Sequence, residues 1–203
     1  MARRNGFTML VTFVFVFMLG TGVAFSTNVA DIEQVGDDHH ATIDQAGVDN
    51  TGIIDQDHNN EGVATIDQEG NDNRAVIEQF GAAGDHVAHT NQTGNDNWAD
   101  QYQGMWGSGD GLLIIEQEGN DNVANQDQHM NQDATGLIYQ TGDDNYANQD
   151  QQNSFSEGEA FASITQTGNH NWASQLQTGL GDHTSTILQE GNNNYANVVQ
   201  DGQ

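Results

Sequence analysis

Five aspartates recur through the body of this 203-residue chain at intervals of 23 to 25 residues: Asp49, Asp72, Asp96, Asp121 and Asp144. Carboxylates at a fixed repeat can take up protons together, or bind a hard cation such as Ca²⁺ through oxygen ligands. Each stands two residues after a glycine and just before an asparagine, a context that equally suits solvated turn residues splaying apart. They are weak cation candidates, with protons or Ca²⁺ as the expected modulators of assembly and no resident cofactor. The eight histidines are scattered; only His39 and His40 adjoin, beside Asp37 and Asp38, and no ligand spacing recurs. With no Cys there is no thiol nucleophile, thiolate metal site or disulfide. No Ser-His-Asp set or carboxylate pair stands out from the surrounding pattern, so the chain does not read as an enzyme.

The charge balance removes another class. Thirty acidic residues face three basic ones, for a formal charge of −27. Arg3 and Arg4 lie at the extreme N-terminus, and Arg74 is the single cation of the body. A nucleic-acid partner requires cations that neutralise phosphates, and is excluded on that ground. Residues 1–26 read as a secretory signal peptide: a short basic start, an apolar run of thirteen residues from Phe7 to Leu19, then the small residues of GTGVAFS. That run is short for a bilayer, which takes about 20 residues to span. The reading is an exported chain, with a mature part still more acidic than the whole.

The elements that hold the aspartates come from the amides. The chain has 23 Asn, 22 Gln, 24 Gly and no Pro. Aligned on glutamine, seven blocks appear: Ile43–Gln56, Ile66–Gln79, Thr90–Gln103, Ile115–Gln128, Ile138–Gln151, Ile164–Gln177 and Ile187–Gln200. Their shared pattern is Ile-x-Gln-x-Gly-x-x-Asn-x-Ala-x-x-x-Gln, with the two glutamines always 11 apart. With the first glutamine as position zero, small residues at −4, Ile at −2 and Gly at +2 alternate on one face. Asn at +5, Ala or Gly at +7 and Gln at +11 do the same after a Gly-x-x-Asn turn, whose Gly and Asn tolerate unusual dihedrals. Each block therefore reads strand, turn, strand, with a looser connection of about 10 residues to the next block. An earlier partial copy, Ile32-Glu33-Gln34-Val35-Gly36, reads as an N-terminal capping strand. The domain plan is a leader (1–26), an N-terminal segment with the partial repeat (27–42), and seven repeats (43–203).

One hairpin is not stable alone in water, but stacked rungs are. Stacking strand one on strand one and strand two on strand two gives an all-β solenoid with a thin interior between two parallel sheets. Identical residues then superimpose at about 4.8 Å. Buried Gln and Asn hydrogen-bond to their copies above and below as continuous ladders. The end rungs expose whole strand edges, and the last block completes the pattern without a capping element. End-to-end polymerisation into a cross-β fibre is the expectation. Position +6 points outward and is Trp98, Val123, Tyr146, Trp172 and Tyr195 in the last five blocks, a column suited to cross-rung stacking.

The pattern resembles the curlin repeat of bacterial curli subunits, over Ile43 to Gln200 and the partial copy from Ile32. The resemblance implies a secreted, fibre-forming functional amyloid that builds biofilm matrix and mediates adhesion at the cell surface. Its implied partners are further copies of itself, a nucleator subunit, periplasmic export factors and an outer-membrane secretion channel. The implied ladder glutamines are Gln45/Gln56, Gln68/Gln79, Gln92/Gln103, Gln117/Gln128, Gln140/Gln151, Gln166/Gln177 and Gln189/Gln200. The implied ladder asparagines are Asn50, Asn73, Asn97, Asn122, Asn145, Asn171 and Asn194. The chain departs from the family in having His, Gly or Ala where Ser often stands six residues before the first Gln. It also lacks a long Gly-rich stretch after the leader. A regular last block and almost no basic residues favour a major-type subunit over a nucleator. A non-polymerising, cation-binding surface solenoid is the alternative from a different class.

Overall fold

The computed structural model describes residues 27–58, 61–81, 84–105, 109–129, 133–153 and 158–202; the leader lies outside them. The described residues form fifteen strands and no helix. The strands are β1 (Val29–Gly36), β2 (His40–Val48), β3 (Thr51–His58), β4 (Gly62–Asn71), β5 (Arg74–Gly81), β6 (His86–Asn95), β7 (Trp98–Met105) and β8 (Gly111–Glu118). Next come β9 (Val123–His129), β10 (Ala134–Thr141), β11 (Tyr146–Asn153), β12 (Ala160–Thr167), β13 (Trp172–Gly179), β14 (His183–Glu190) and β15 (Tyr195–Asp201).

Alternation along each strand decides which residues face inward. In β10, Ala134, Gly136, Ile138 and Gln140 are buried, while Thr135, Leu137 and Tyr139 are partly exposed. The even-numbered strands make a seven-stranded parallel sheet and the odd-numbered strands an eight-stranded one. Register holds throughout: Ile43 pairs with Ile66, Gln45 with Gln68, and Gln56 with Gln79. The result is an all-β parallel β-solenoid of about seven turns, as the spacing of the blocks implies.

The connections between rungs are shorter than expected. From three to six residues separate one rung's second arm from the next rung's first, as at 180–182 and 154–159. The strands extend beyond the blocks on both sides, because parallel pairing continues wherever the neighbouring rung offers backbone partners. The variable spacing falls in these connections, so the ladders inside stay in register.

The tight turn also differs in detail. Two residues in it take positive φ: the glycine at +2, as Gly70 at 125°, and the residue at +4, as Asp72 at 55°. The asparagine at +5 does not, so Gly and Asp, rather than Gly and Asn, carry the unusual dihedrals. Asp is among the few non-glycine residues that enter the left-handed region readily. The glycine is obligatory for a second reason: a Cβ on Gly70 would lie 1.8 Å from the Gly94 carbonyl oxygen.

The core is columns of one residue type. Ile66, Ile115, Ile138 and Ile164 are wholly buried, as are Ala75, Ala99, Ala124, Ala147 and Ala173 of the facing sheet. Between them lie fully buried amides such as Gln56, Gln92, Gln103 and Gln166. A buried amide without partners costs about 1–3 kcal/mol, so this interior is stable only if the amides saturate one another.

Candidate functional site: the amide ladders and their open ends

The first-arm glutamines form one unbroken line. Gln45 Nε2 donates to Gln68 Oε1 (2.8 Å), Gln68 to Gln92 (2.8 Å), and Gln92 to Gln117 (2.9 Å). Gln117, Gln140 and Gln166 each continue it at 2.9 Å to Gln140, Gln166 and Gln189. The second N–H of each amide crosses the interior to a backbone carbonyl of the other sheet, as from Gln92 to Arg74 (3.1 Å) and from Gln166 to Tyr146 (3.0 Å). One amide group therefore ties rung to rung and sheet to sheet.

The second-arm glutamines repeat the arrangement. Gln56 donates to Gln79 (2.6 Å), Gln79 to Gln103 (2.7 Å), Gln103 to Gln128 (3.2 Å), Gln128 to Gln151 (2.9 Å), Gln151 to Gln177 (3.0 Å) and Gln177 to Gln200 (2.9 Å). Their cross-links run within the rung, as from Gln177 to the Phe161 carbonyl (2.9 Å).

The asparagines close the turns. Asn122 Nδ2 donates down to Asn97 Oδ1 (3.1 Å) and up to the Gly142 carbonyl (2.7 Å). Its Oδ1 accepts the backbone N–H (3.1 Å) and Nδ2 (3.0 Å) of Asn145. Asn50, Asn73, Asn97, Asn145, Asn171 and Asn194 belong to the same line. The structure thus brings together all twenty-one amides singled out from the blocks.

It adds others. Gln34 Nε2 donates to Gln56 Oε1 (2.8 Å), and Asn28 Oδ1 accepts the Asn50 N–H (3.0 Å). The partial copy is therefore a second arm, Asn28-x-Ala30-x-x-x-Gln34, and not the start of a first arm. Its Ile-x-Gln-x-Gly fits either arm locally, and the Asn28–Gln34 spacing is the signal that separates them. A third glutamine line occupies position +9: Gln101 donates to Gln126 and Gln126 to Gln149 (both 2.9 Å), and Gln149 to Gln175 (3.1 Å). Position +3 makes a ladder on the turn surface, as from Asn71 Nδ2 to Asn95 Oδ1 (2.8 Å) and from Asn120 Nδ2 to Asp143 Oδ1 (2.9 Å). Position −7 is acidic in all seven copies, and there Asp110 and Asp133 accept the backbone N–H of the preceding rung's acid at 3.0 and 2.9 Å. Recurrence at a fixed offset marks each of these lines in the sequence.

The turn aspartates play another part. Asp49, Asp72, Asp96, Asp121 and Asp144 lie exposed along one edge, holding the left-handed turn position. Asp144 meets His170 at 3.3 Å. Among the described residues, no three carboxylate or imidazole groups gather where they could hold one metal ion.

Carboxylates with perturbed acidity lie on the outer face of the eight-stranded sheet. Burial, then Glu33, Asp57 and Asp31, push the Asp55 pKa up. Burial, then Asp100 and Asp55, do the same for Glu78. Burial raises Asp127 too, against the opposing pull of His129 2.9 Å away. On the same face, Trp172 stacks between Tyr146 (5.8 Å) and Tyr195 (4.5 Å), and Arg74 lies 5.2 Å over the Trp98 ring. The outward aromatics pack rung against rung.

The ladders reach both ends of the solenoid. At the far end, Tyr195 and Val199 of β15 and Leu188 of β14 are 71%, 59% and 65% exposed. Gln189 and Gln200 donate there to the Trp172 and Thr184 carbonyls (3.0 and 2.7 Å), and their axial N–H groups have no further strand among the described residues. At the near end, Ile43 of β2 is only half-buried, unlike Ile66 one rung in.

Residues 25–47, 47–81 and 159–202 match the family model of the curlin associated repeat. No curated protein and no solved structure matches the chain. The stretch between the matched regions keeps the same ladders at the same register. With this repeat at both ends and its geometry continuous between them, the chain is a curlin-repeat protein, a structural and non-enzymatic solenoid.

Proposed function

We propose that this chain is a secreted subunit that polymerises end to end into curli-type amyloid fibres at a bacterial cell surface, serving biofilm matrix and adhesion. The observation that carries the reading is that the Gln45–Gln189 and Gln34–Gln200 ladders run to the outermost strands, where amide groups remain to be used. An edge strand with free backbone groups is a template for another chain. A buried amide ladder gains most by continuing, because each added copy satisfies the previous one. The regular last block and the near absence of cations fit a major-type subunit, the bulk of the fibre, rather than a nucleator. A nucleator subunit and an export channel with its periplasmic factors are the partners this role requires.

The test is incubation of the purified mature chain with thioflavin fluorescence and electron microscopy. Detergent-resistant fibres with a cross-β diffraction spacing of about 4.8 Å are expected. A chain that stays monomeric at high concentration rejects the proposal and favours a free-standing surface solenoid.

A further inference from the structure

The two sheets differ by one strand, and the difference bears on how copies can join. The eight-stranded sheet begins with β1, whereas the seven-stranded sheet begins one level later with β2; both end level with β15 and β14. The described chain is therefore seven and a half rungs. When two copies stack head to tail with β1 in place, the incoming β15 lands on β1, the incoming β14 lies a level too far from β2, and one strand position in the seven-stranded sheet is left empty. When β1 leaves, β14 reaches β2 and β15 reaches β3 together, and both sheets continue without a gap.

We infer that β1 is a placeholder occupying the edge of β3 that the β15 strand of a second copy takes during fibre growth, and that each junction forms by exchange of one for the other. This rests on the polymerisation reading above. The two strands match along their inward faces. Asn28, just before β1, and Ala30, Ile32 and Gln34 within it correspond to Asn194, just before β15, and to Ala196, Val198 and Gln200. The bonds β1 makes are ones β15 already offers. Val29 N–H donates to the Asn50 carbonyl and Gln34 to Gln56 (both 2.8 Å), and Tyr195 and Gln200 hold the equivalent donors.

The exchange also has a direction. β1 sets Glu33 directly opposite Asp55, with Asp31 beside it, and both carboxylates push the Asp55 pKa up. β15 offers Asn197 and Val199 at those two places, which removes two carboxylates from beside Asp55, and it sets Asp201 opposite Asp57 where β1 has Val35, so this face loses one carboxylate in all. The eight-stranded sheet thus swaps one strand for another that carries one carboxylate fewer on this face. The seven-stranded sheet gains a new pairing of β14 with β2, including a Gln189–Gln45 link and full cover for Ile43.

A reversible lock tests this. Asp31 and Ile53 are outward-facing partners on β1 and β3, and the chain contains no other cysteine to interfere with Asp31→Cys/Ile53→Cys. Directly paired strand positions meet the separation a disulfide needs. Seeded growth is followed for the wild type and for the double variant, oxidised and reduced. Loss of elongation on oxidation, regained on reduction, is the expected result. Equal growth of the oxidised and reduced forms overturns the exchange while leaving polymerisation intact. Failure of wild-type and reduced chains alike to form fibres overturns the polymerisation reading on which it stands. As a second measurement, Ile32→Asp, which puts a charge on the inward face of β1 alone, is expected to shorten the lag before growth; an unchanged or longer lag counts against the placeholder.

Discussion

The Thr90 hydroxyl donates to Gln101 Oε1 at 3.0 Å inside the solenoid, where both residues are fully buried. Thr90 is the one block residue at −2 that is not Ile, and this bond explains it. Gln101 is the foot of the +9 glutamine line: above it stands Gln126, and below it Ile77, which has no donor to give. The hydroxyl from the facing sheet supplies the missing proton.

Replacing Thr90 with Val keeps the shape and removes the donor. The orphaned Gln101 oxygen should cost about 1–3 kcal/mol of stability. Thr90→Ser, which keeps the hydroxyl and loses one methyl, should cost about 0.8 kcal/mol. Denaturant unfolding of the monomer separates them; a Val variant as stable as the Ser variant refutes the role assigned to the bond.

The asparagine line should respond by position. Asn122→Ala leaves the Gly142 carbonyl and the Asn145 N–H without their partners in the interior, a loss of about 3 kcal/mol or more. Asn194 has a neighbour on one side only, so Asn194→Ala should change monomer stability far less while slowing fibre growth. Thermal unfolding and seeded elongation, measured on both variants, should rank them in opposite order.

Gly136 and Leu113 form a small–large pair across β10 and β8. A Cβ on Gly136 would lie 2.8 Å from Leu113 Cδ2, so Gly136→Ala should cost about 1–3 kcal/mol through overpacking. Adding Leu113→Ala makes room for the new methyl, and the two changes should be less damaging together than their separate costs imply. Additive costs in a double-mutant cycle would exclude the contact.

Acidity should strengthen the fold on the outer face. Asp55, Glu78, Asp100 and Asp127 all have pKa values raised in the folded chain, with burial the largest cause of each. A raised carboxyl binds its proton more tightly folded than unfolded. Stability therefore rises as the pH falls through the raised values, and the gain is complete below the ordinary 3.8 of Asp and 4.5 of Glu. His86 opposes this: burial lowers its pKa, so its protonation costs stability as the pH falls below 6.5. In Asp55→Asn/Glu78→Gln the acid-side gain should shrink. Melting temperatures between pH 7 and pH 4 that move equally in variant and wild type would rule out these two carboxyls as the source.

Much of the solenoid is legible in the amino-acid order because a strand has a side-chain period of two and the blocks keep their two glutamines 11 apart. Those facts determine which residues share a face, and identical faces at one register can only stack on their copies. The lines from Gln45 to Gln189 and from Asn50 to Asn194 come from that alone. Residue order does not reveal which copy a residue meets. Ile32-Glu33-Gln34 satisfies the local pattern of either arm; the Asn28–Gln34 spacing points to the second, and its pairing with Ile54 and Gln56 assigns it there. The same holds for Thr90: in sequence it is an exception, and in the folded interior it lies across from the one glutamine at the foot of a line. Backbone sterics at the turn likewise give the left-handed position to Asp72 and its equivalents, leaving Asn73 free to reach the next rung. Local periodicity determined the strands and their faces; contacts between residues of different rungs and of facing sheets decided the rest, because no spacing within one block encodes what lies above, below or across from it.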